Sequence, residues 1–166
     1  MSDDYIYYLD ILANGSIEQL EELSELDDDF PGGKDDLVFT YWIINAINHG
    51  SKLSIKWMLN KGVNLNFLGD DGYTVLHSAI ERLAEDKYDI LELLLNKGAP
   101  INIQGINDWT PAHMAAARED IRALELLVKY GADLSIKTRI DDFATPLEEA
   151  KLLKCQESVK YLESIT

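Results

Sequence analysis

Cysteine is almost missing from this chain: Cys155 stands alone in 166 residues. One thiol excludes an internal disulfide framework and any zinc site built from several cysteines. No obvious base accompanies it, so it reads as a structural or incidental thiol, not a nucleophile. Long apolar runs are missing as well. No stretch approaches the roughly 18 apolar residues that a membrane helix needs. The acidic start, Met1-Ser2-Asp3-Asp4-Tyr5, lacks a basic segment followed by an apolar one, so no signal peptide is expected. Without such a signal, the sequon Asn14-Gly15-Ser16 reads as chance. A cytoplasmic, soluble chain is the expectation. Positive charge is scarce: 15 bases face 30 acids, for a formal net charge of −15 and a pI near 4.4. That balance argues against nucleic-acid phosphates and against an anionic membrane surface. It favours a basic partner, or simply solubility.

The chemistry of catalysis is thin too. The three histidines, His49, His77 and His113, are scattered. The acidic runs Asp27-Asp28-Asp29 and Asp70-Asp71-Gly72 fail the calcium-loop pattern: with Gly72 at its sixth position, Phe67 falls at the first and Ser78 at the twelfth, and neither supplies the carboxylate required. No phosphate-cradling loop and no nucleophile elbow occur. Enzyme activity, a metal and a cofactor are not expected.

What the chain does have is repetition. Leu59-Asn60-Lys61-Gly62-Val63-Asn64-Leu65-Asn66, Leu95-Asn96-Lys97-Gly98-Ala99-Pro100-Ile101-Asn102 and Val128-Lys129-Tyr130-Gly131-Ala132-Asp133-Leu134-Ser135 end three apolar runs alike, with glycine spacings of 36 and 33. Ahead of each run stands a second landmark. Thr74-Val75-Leu76-His77, Thr110-Pro111-Ala112-His113 and Thr145-Pro146-Leu147-Glu148 recur at spacings of 36 and 35, and Tyr41-Trp42-Ile43-Ile44 fits the same slot without its polar marks. Threonine can cap a helix start, and proline is tolerated at the first helical position. Leu91, Leu94 and Leu95, like Leu124, Leu127 and Val128, fall at helical spacing. The glycine after each run can take the left-handed conformation that ends a helix. Each unit reads as two short helices and an extended loop. Two helices cannot bury their apolar faces alone, but stacked pairs can.

These motifs resemble the ankyrin repeat. Asp71-Gly72-Tyr73-Thr74-Val75-Leu76-His77 and Trp109-Thr110-Pro111-Ala112-His113-Met114-Ala115-Ala116 carry the likeness most closely. The implied fold is all-α: an ankyrin-repeat solenoid of about five helix-turn-helix units joined by finger loops. The units are about 3–30, 36–66, 70–102, 107–135 and 141–165, in a single domain. Three departures stand out. The inter-helix turn of the third unit, at Leu83-Ala84-Glu85-Asp86-Lys87-Tyr88, carries about three extra residues. The loop 137–144 is about two residues longer than the pattern. Asp108 replaces the turn glycine of the fourth unit, which questions that hairpin's geometry.

By the same resemblance, His77 and His113 are structural histidines that bridge turns and neighbouring units. The concave side, lined by finger loops and first helices, is where ankyrin arrays bind other proteins. The residues implied there are Phe67, Leu68, Asp70, Asp71 and Tyr73 on one finger, then Ile106, Asn107, Trp109 and Met114, then Arg139, Ile140, Asp141, Asp142 and Phe143. Aromatic anchors bury large areas, while acids steer a basic partner. Phe67 and Phe143, and also Tyr73 and Trp109, can alternatively tuck under the adjacent finger. Charge is uneven: residues 1–36 hold twelve acids and one base, a net of −11, while the remainder nets −4. That segment is either a solvated cap or an electrostatic lure. The small, acidic, unaccompanied array looks like bacterial immunity proteins, which neutralise a cognate toxin; a basic protein is the expected partner and a monomer the expected free state. The alternative is a scaffold or adaptor, host-directed or signalling, that recruits a partner through the concave face.

Overall fold

A computed structural model describes residues 3–140 and 143–165. Among these residues ten α-helices follow one another in pairs: α1 (Asp3–Asn14) with α2 (Ile17–Leu26), α3 (Trp42–His49) with α4 (Lys52–Asn60), α5 (Val75–Glu81) with α6 (Lys87–Asn96), α7 (Pro111–Ala117) with α8 (Ile121–Lys129), and α9 (Pro146–Leu153) with α10 (Gln156–Ile165). The chain is an all-α helical-repeat solenoid. An isolated antiparallel bridge, Lys34 to Tyr41, is the β-structure among the described residues.

Helices of seven to twelve residues are too short to persist alone in water, where roughly 12–15 residues are marginal. Caps and packing supply what length does not. Thr74, Thr110 and Thr145 each accept the backbone N–H three residues on, and the residue at that third position (His77, His113 or Glu148) reaches back to the cap's own N–H. Pro111 and Pro146 occupy first helical positions. Gly62, Gly98 and Gly131 take φ of 78°, 82° and 86° after the second helices, as their place after the apolar runs requires.

Nearest neighbours stack. Helix α1 packs on α3, α3 on α5, α5 on α7 and α7 on α9, while α2 meets α4 and α8 meets α6 and α10. The core therefore runs the length of the array: Leu12 and Leu20, Ile43 and Ile47, Ile55 and Met58, Leu76 and Ile80, Leu91 and Leu94, Leu124 and Leu127 are all buried. Each such side chain contributes about 1.5–3 kcal/mol of burial. Ala112, Ala115, Ala116 and Ala150 let α7 and α9 approach closely.

Several local devices were not expected from sequence. Ser16, third residue of the apparent sequon, caps α2 in a reciprocal pair with Gln19. The N-terminal end is closed by rings: Tyr8 stacks on Trp42 at 4.9 Å between centroids, and Phe30 meets Trp42 edge-on and Trp57 face-on at 5.5 and 5.8 Å. The long turn of the third pair exists, and it carries a buried cation. Arg82 donates to the carbonyls of Ile47 and Gly50 in the preceding pair and to the Asp86 carboxylate in its own.

Candidate functional site

The fingers are short hairpins, closed by Asp35 N–H to Thr40 O, Gly69 N–H to Tyr73 O, Gly105 N–H to Trp109 O and Thr138 N–H to Ala144 O, at 2.7–2.9 Å. They are stitched together sideways. The Ile106 N–H donates to Gly72 O at 2.7 Å, and the Gln104 amide donates to Asp108 O and Lys137 O at 3.0 and 2.9 Å. The histidines complete the stitching. Nε2 of His77 donates to Trp109 O at 3.1 Å, and Nε2 of His113 to Ala144 O at 3.0 Å. A carbonyl only accepts, so both rings carry their proton on Nε2. Nδ1 then accepts from the capping threonine hydroxyl, at 2.7 and 2.8 Å. Burial, as the largest cause, pulls the His77 pKa down to about 4 and lowers that of His113. These are neutral structural braces, as the resemblance implies.

One position in each finger demands a left-handed backbone. In the second finger Gly72 fills it, with φ 81°. Two residues before the N-cap residue of each other first helix, the equivalent positions are Phe39, Asp108 and Phe143, with φ of 55°, 58° and 51°. Glycine has been lost there, yet the conformation persists. A side chain in that region costs about 1–2 kcal/mol, and for a bulky one it is a true outlier. Asp108 has a structural reason to stay. Its carboxylate, buried at 9 % exposure, accepts from the backbone N–H, Nε and Nη2 of Arg139 on the next finger. Those bonds hold its pKa below the usual carboxylate value. The hairpin that seemed doubtful is thus intact, with Asn107 also left-handed at φ 55°, ψ 22°. Among the described residues the two phenylalanines have no such hydrogen-bonding partner. Phe39 is 64 % exposed and Phe143 61 %, one on the first finger and one on the last.

The residues implied by the resemblance divide accordingly. Leu68, Ile140 and Phe143 present exposed apolar surface. Asp70, Asp71, Asn107 and Arg139 are exposed, although Asp70 pairs with Lys34 at 3.0 Å, Asp71 accepts from Tyr73 N–H, and Arg139 is tied to Asp108. Tyr73, Ile106 and Trp109 are half-buried against the core. Two expectations are corrected. Phe67 is buried and lies on the Tyr41 ring with centroids 3.9 Å apart, because the face of Tyr41 offers it a better apolar wall than water does. Met114 is 2 % exposed, since its place in α7 faces the neighbouring helices. Asp141 and Asp142 lie outside the described residues.

Sequence reasoning missed the first finger. Leu37, Val38 and Phe39 are all exposed. Val38 and Phe39, with Asp70 and Asp71 of the second finger, line a cleft of about 250 Å³. The signal was there: Phe39 stands two residues before Tyr41, as Gly72 stands before Thr74.

Elsewhere, several bases pair internally. Lys61 pairs with Glu21, Lys52 with Asp89, Lys87 with Asp120, Arg118 with Glu81 and Lys129 with Glu92, each between neighbouring pairs. Cys155 is buried between α9 and α10, donates to Ala117 O at 3.4 Å, and has its thiol pKa raised by burial and by Glu119 and Glu149. Among the described residues no group of three or more His, Cys, Asp or Glu is placed to hold a metal ion. Among them, too, no helix is long and apolar enough to cross a membrane.

Residues 82–128 match the protein family described as Ankyrin repeats (many copies). That segment runs from Arg82 through α6 and α7 to Val128 in the last turn of α8, and the match supports an ankyrin-repeat family for the chain. No curated protein matches it in sequence.

Proposed function

We propose that this ankyrin-type array is a non-enzymatic protein-binding module whose finger row grips a basic protein and inhibits it, as an immunity protein does its cognate toxin. The observation that carries this reading is the pair of exposed phenylalanines, Phe39 and Phe143, in strained backbone on the first and last fingers. Strain of this kind concentrates at ligand-contacting positions, and exposed aromatics are the side chains that anchor interfaces. Leu68 and Ile140 widen the apolar contact, and Asp70 and Asp71 border it. A basic partner follows from the net charge of −15, which attracts a cationic surface and speeds encounter.

The reading is tested by capture from a native lysate with the intact chain and with the Phe39→Gly/Phe143→Gly variant, both checked for helical signal. The expected result is a basic protein retained by the first and lost by the second, and an activity of that protein that falls to zero at one equivalent of array. Equal capture by both would refute the finger row. Capture without inhibition would make the module an adaptor.

A further inference from the structure

A second feature lies at the N-terminal end, away from the last finger. A cavity of about 380 Å³ opens between α1, the end of α2 and the root of the first finger. That volume is within the range of small-ligand sites. Its walls are of two kinds. Tyr7, Tyr8 and Trp42 supply aromatic surface, and Asp4, Asp27 and Asp36 supply carboxylates. Among the described residues no lysine, arginine or histidine lines it, in contrast to the basic residues that line the clefts near Arg122 and near Lys160. Lys34, the one base of residues 1–36, is turned to Asp70 of the next finger.

The rim is built, not incidental. Asp35, 2 % exposed, accepts from the N–H groups of Leu37, Val38 and Thr40 and from the Asn45 side chain at 2.7–3.0 Å. It thereby fixes the loop that carries Asp36, while its own carboxylate is fully engaged. Trp42 is 4 % exposed, and its Nε1 donor is buried without a hydrogen-bond partner. The negative field is visible in the phenol: Tyr8 is pushed up to about 12, by burial first and then by Asp27, Asp4 and Asp36.

We infer that this cavity receives a cationic side chain, an arginine or lysine presented by a segment of a basic protein. Aromatic faces attract a cation through their quadrupoles. Carboxylates at the rim complete its charge and hydrogen bonds. The rim continues through Leu37 and Val38 into Phe39, so one partner segment can reach both. The inference does not require the finger-row reading, because the last finger takes no part in it.

The test uses the full chain, labelled with nitrogen-15, and blocked tripeptides of the form acetyl-Gly-X-Gly-amide with X as arginine, lysine, citrulline or norleucine. The indole N–H resonance of Trp42, assigned by Trp42→Phe, is the reporter. The arginine or lysine peptide is expected to shift it saturably with a dissociation constant in the millimolar range, about 1 mM, and the neutral pair is not. Asp36→Asn, an exposed position, is expected to weaken binding, and Asp27→Asn/Asp36→Asn to weaken it by about tenfold or more. Unmoved indole signals from Trp57 and Trp109 establish that the fold is intact. Phe143→Gly leaves peptide binding unchanged while removing the partner in the capture experiment, so the two readings fail separately. An equal response to citrulline and arginine, no saturable shift from any peptide, or indifference to both aspartate substitutions overturns the inference.

Discussion

Phe39 and Phe143 hold the same backbone slot at opposite ends of the finger row, with φ of 55° and 51°. Between them the slot is filled by Gly72 and Asp108. Four fingers thus answer one geometric demand in three ways, and each answer has its own consequence for mutation.

Phe39→Gly and Phe143→Gly remove a strained φ and little buried area. Each is expected to stabilise the fold by about 0.5–1 kcal/mol, the strain relieved exceeding the extra chain entropy of glycine. Urea unfolding reads that gain. The same variants are expected to weaken partner binding by at least tenfold, measured by titration calorimetry with the captured partner. A loss of stability would show that the phenylalanines serve the fold instead.

The same substitution in the third of these slots is expected to have the opposite sign. Asp108→Gly frees φ but strands the Arg139 N–H and guanidinium that Asp108 holds. Charge-assisted bonds to a mostly buried carboxylate outweigh the strain relieved, so stability falls by roughly 1 kcal/mol. Asp108→Asn keeps one acceptor and should fall between the two. Urea midpoints of the three chains decide the order.

His77 makes the array acid-sensitive. Its folded pKa of about 4 lies below the ordinary value near 6.5. As pH falls through 6.5, the unfolded chain binds a proton that the folded one refuses, so stability is lost from about pH 6.5 down to about 4. Between pH of about 7.5 and about 4.5 the loss is on the order of 2–3 kcal/mol, and His113, lowered for the same reason, adds to it. Denaturant midpoints across that range measure the slope. His77→Gln/His113→Gln, although less stable throughout, should show a flatter slope over that interval.

Arg82 is the cation whose removal should hurt most. Its guanidinium satisfies two backbone carbonyls of the preceding pair and Asp86. Arg82→Leu leaves those acceptors buried and is expected to cost about 3 kcal/mol. Arg82→Lys recovers little of it, because an ammonium cannot reproduce a planar fork. Chemical denaturation of both variants measures the difference.

The paired helices, the threonine caps and the order of the units were legible because they rest on local chemistry: a threonine three residues before His77, a proline after Thr110, a glycine after each leucine run. The long third-pair turn was legible as an insertion, but its purpose was not. Arg82 reaches carbonyls 32 and 35 residues away, and no local pattern records such a bond. Phe67 and Phe143 look alike in sequence, one beside a leucine and the other beside an alanine. Their fates diverge because Tyr41 lies across the gap from the first, and φ turns the second outward from its slot. Phe39 was hidden for a third reason. Its finger lacks the threonine and glycine landmarks, so the alignment that would have placed it in the slot was anchored on Tyr41 alone. Ser16 was overlooked because a serine after Asn-Gly invited a chemical reading before a helical one.

Because each pair of helices packs chiefly against the pairs beside it, the two ends of the array are free to fray independently. A partner seated on both Phe39 and Phe143 would bridge ends that the chain itself never connects, acting as a splint along the whole rod. Its departure would then be timed by whichever terminal pair loosens first, and residence on the array would lengthen with any change that tightens an end.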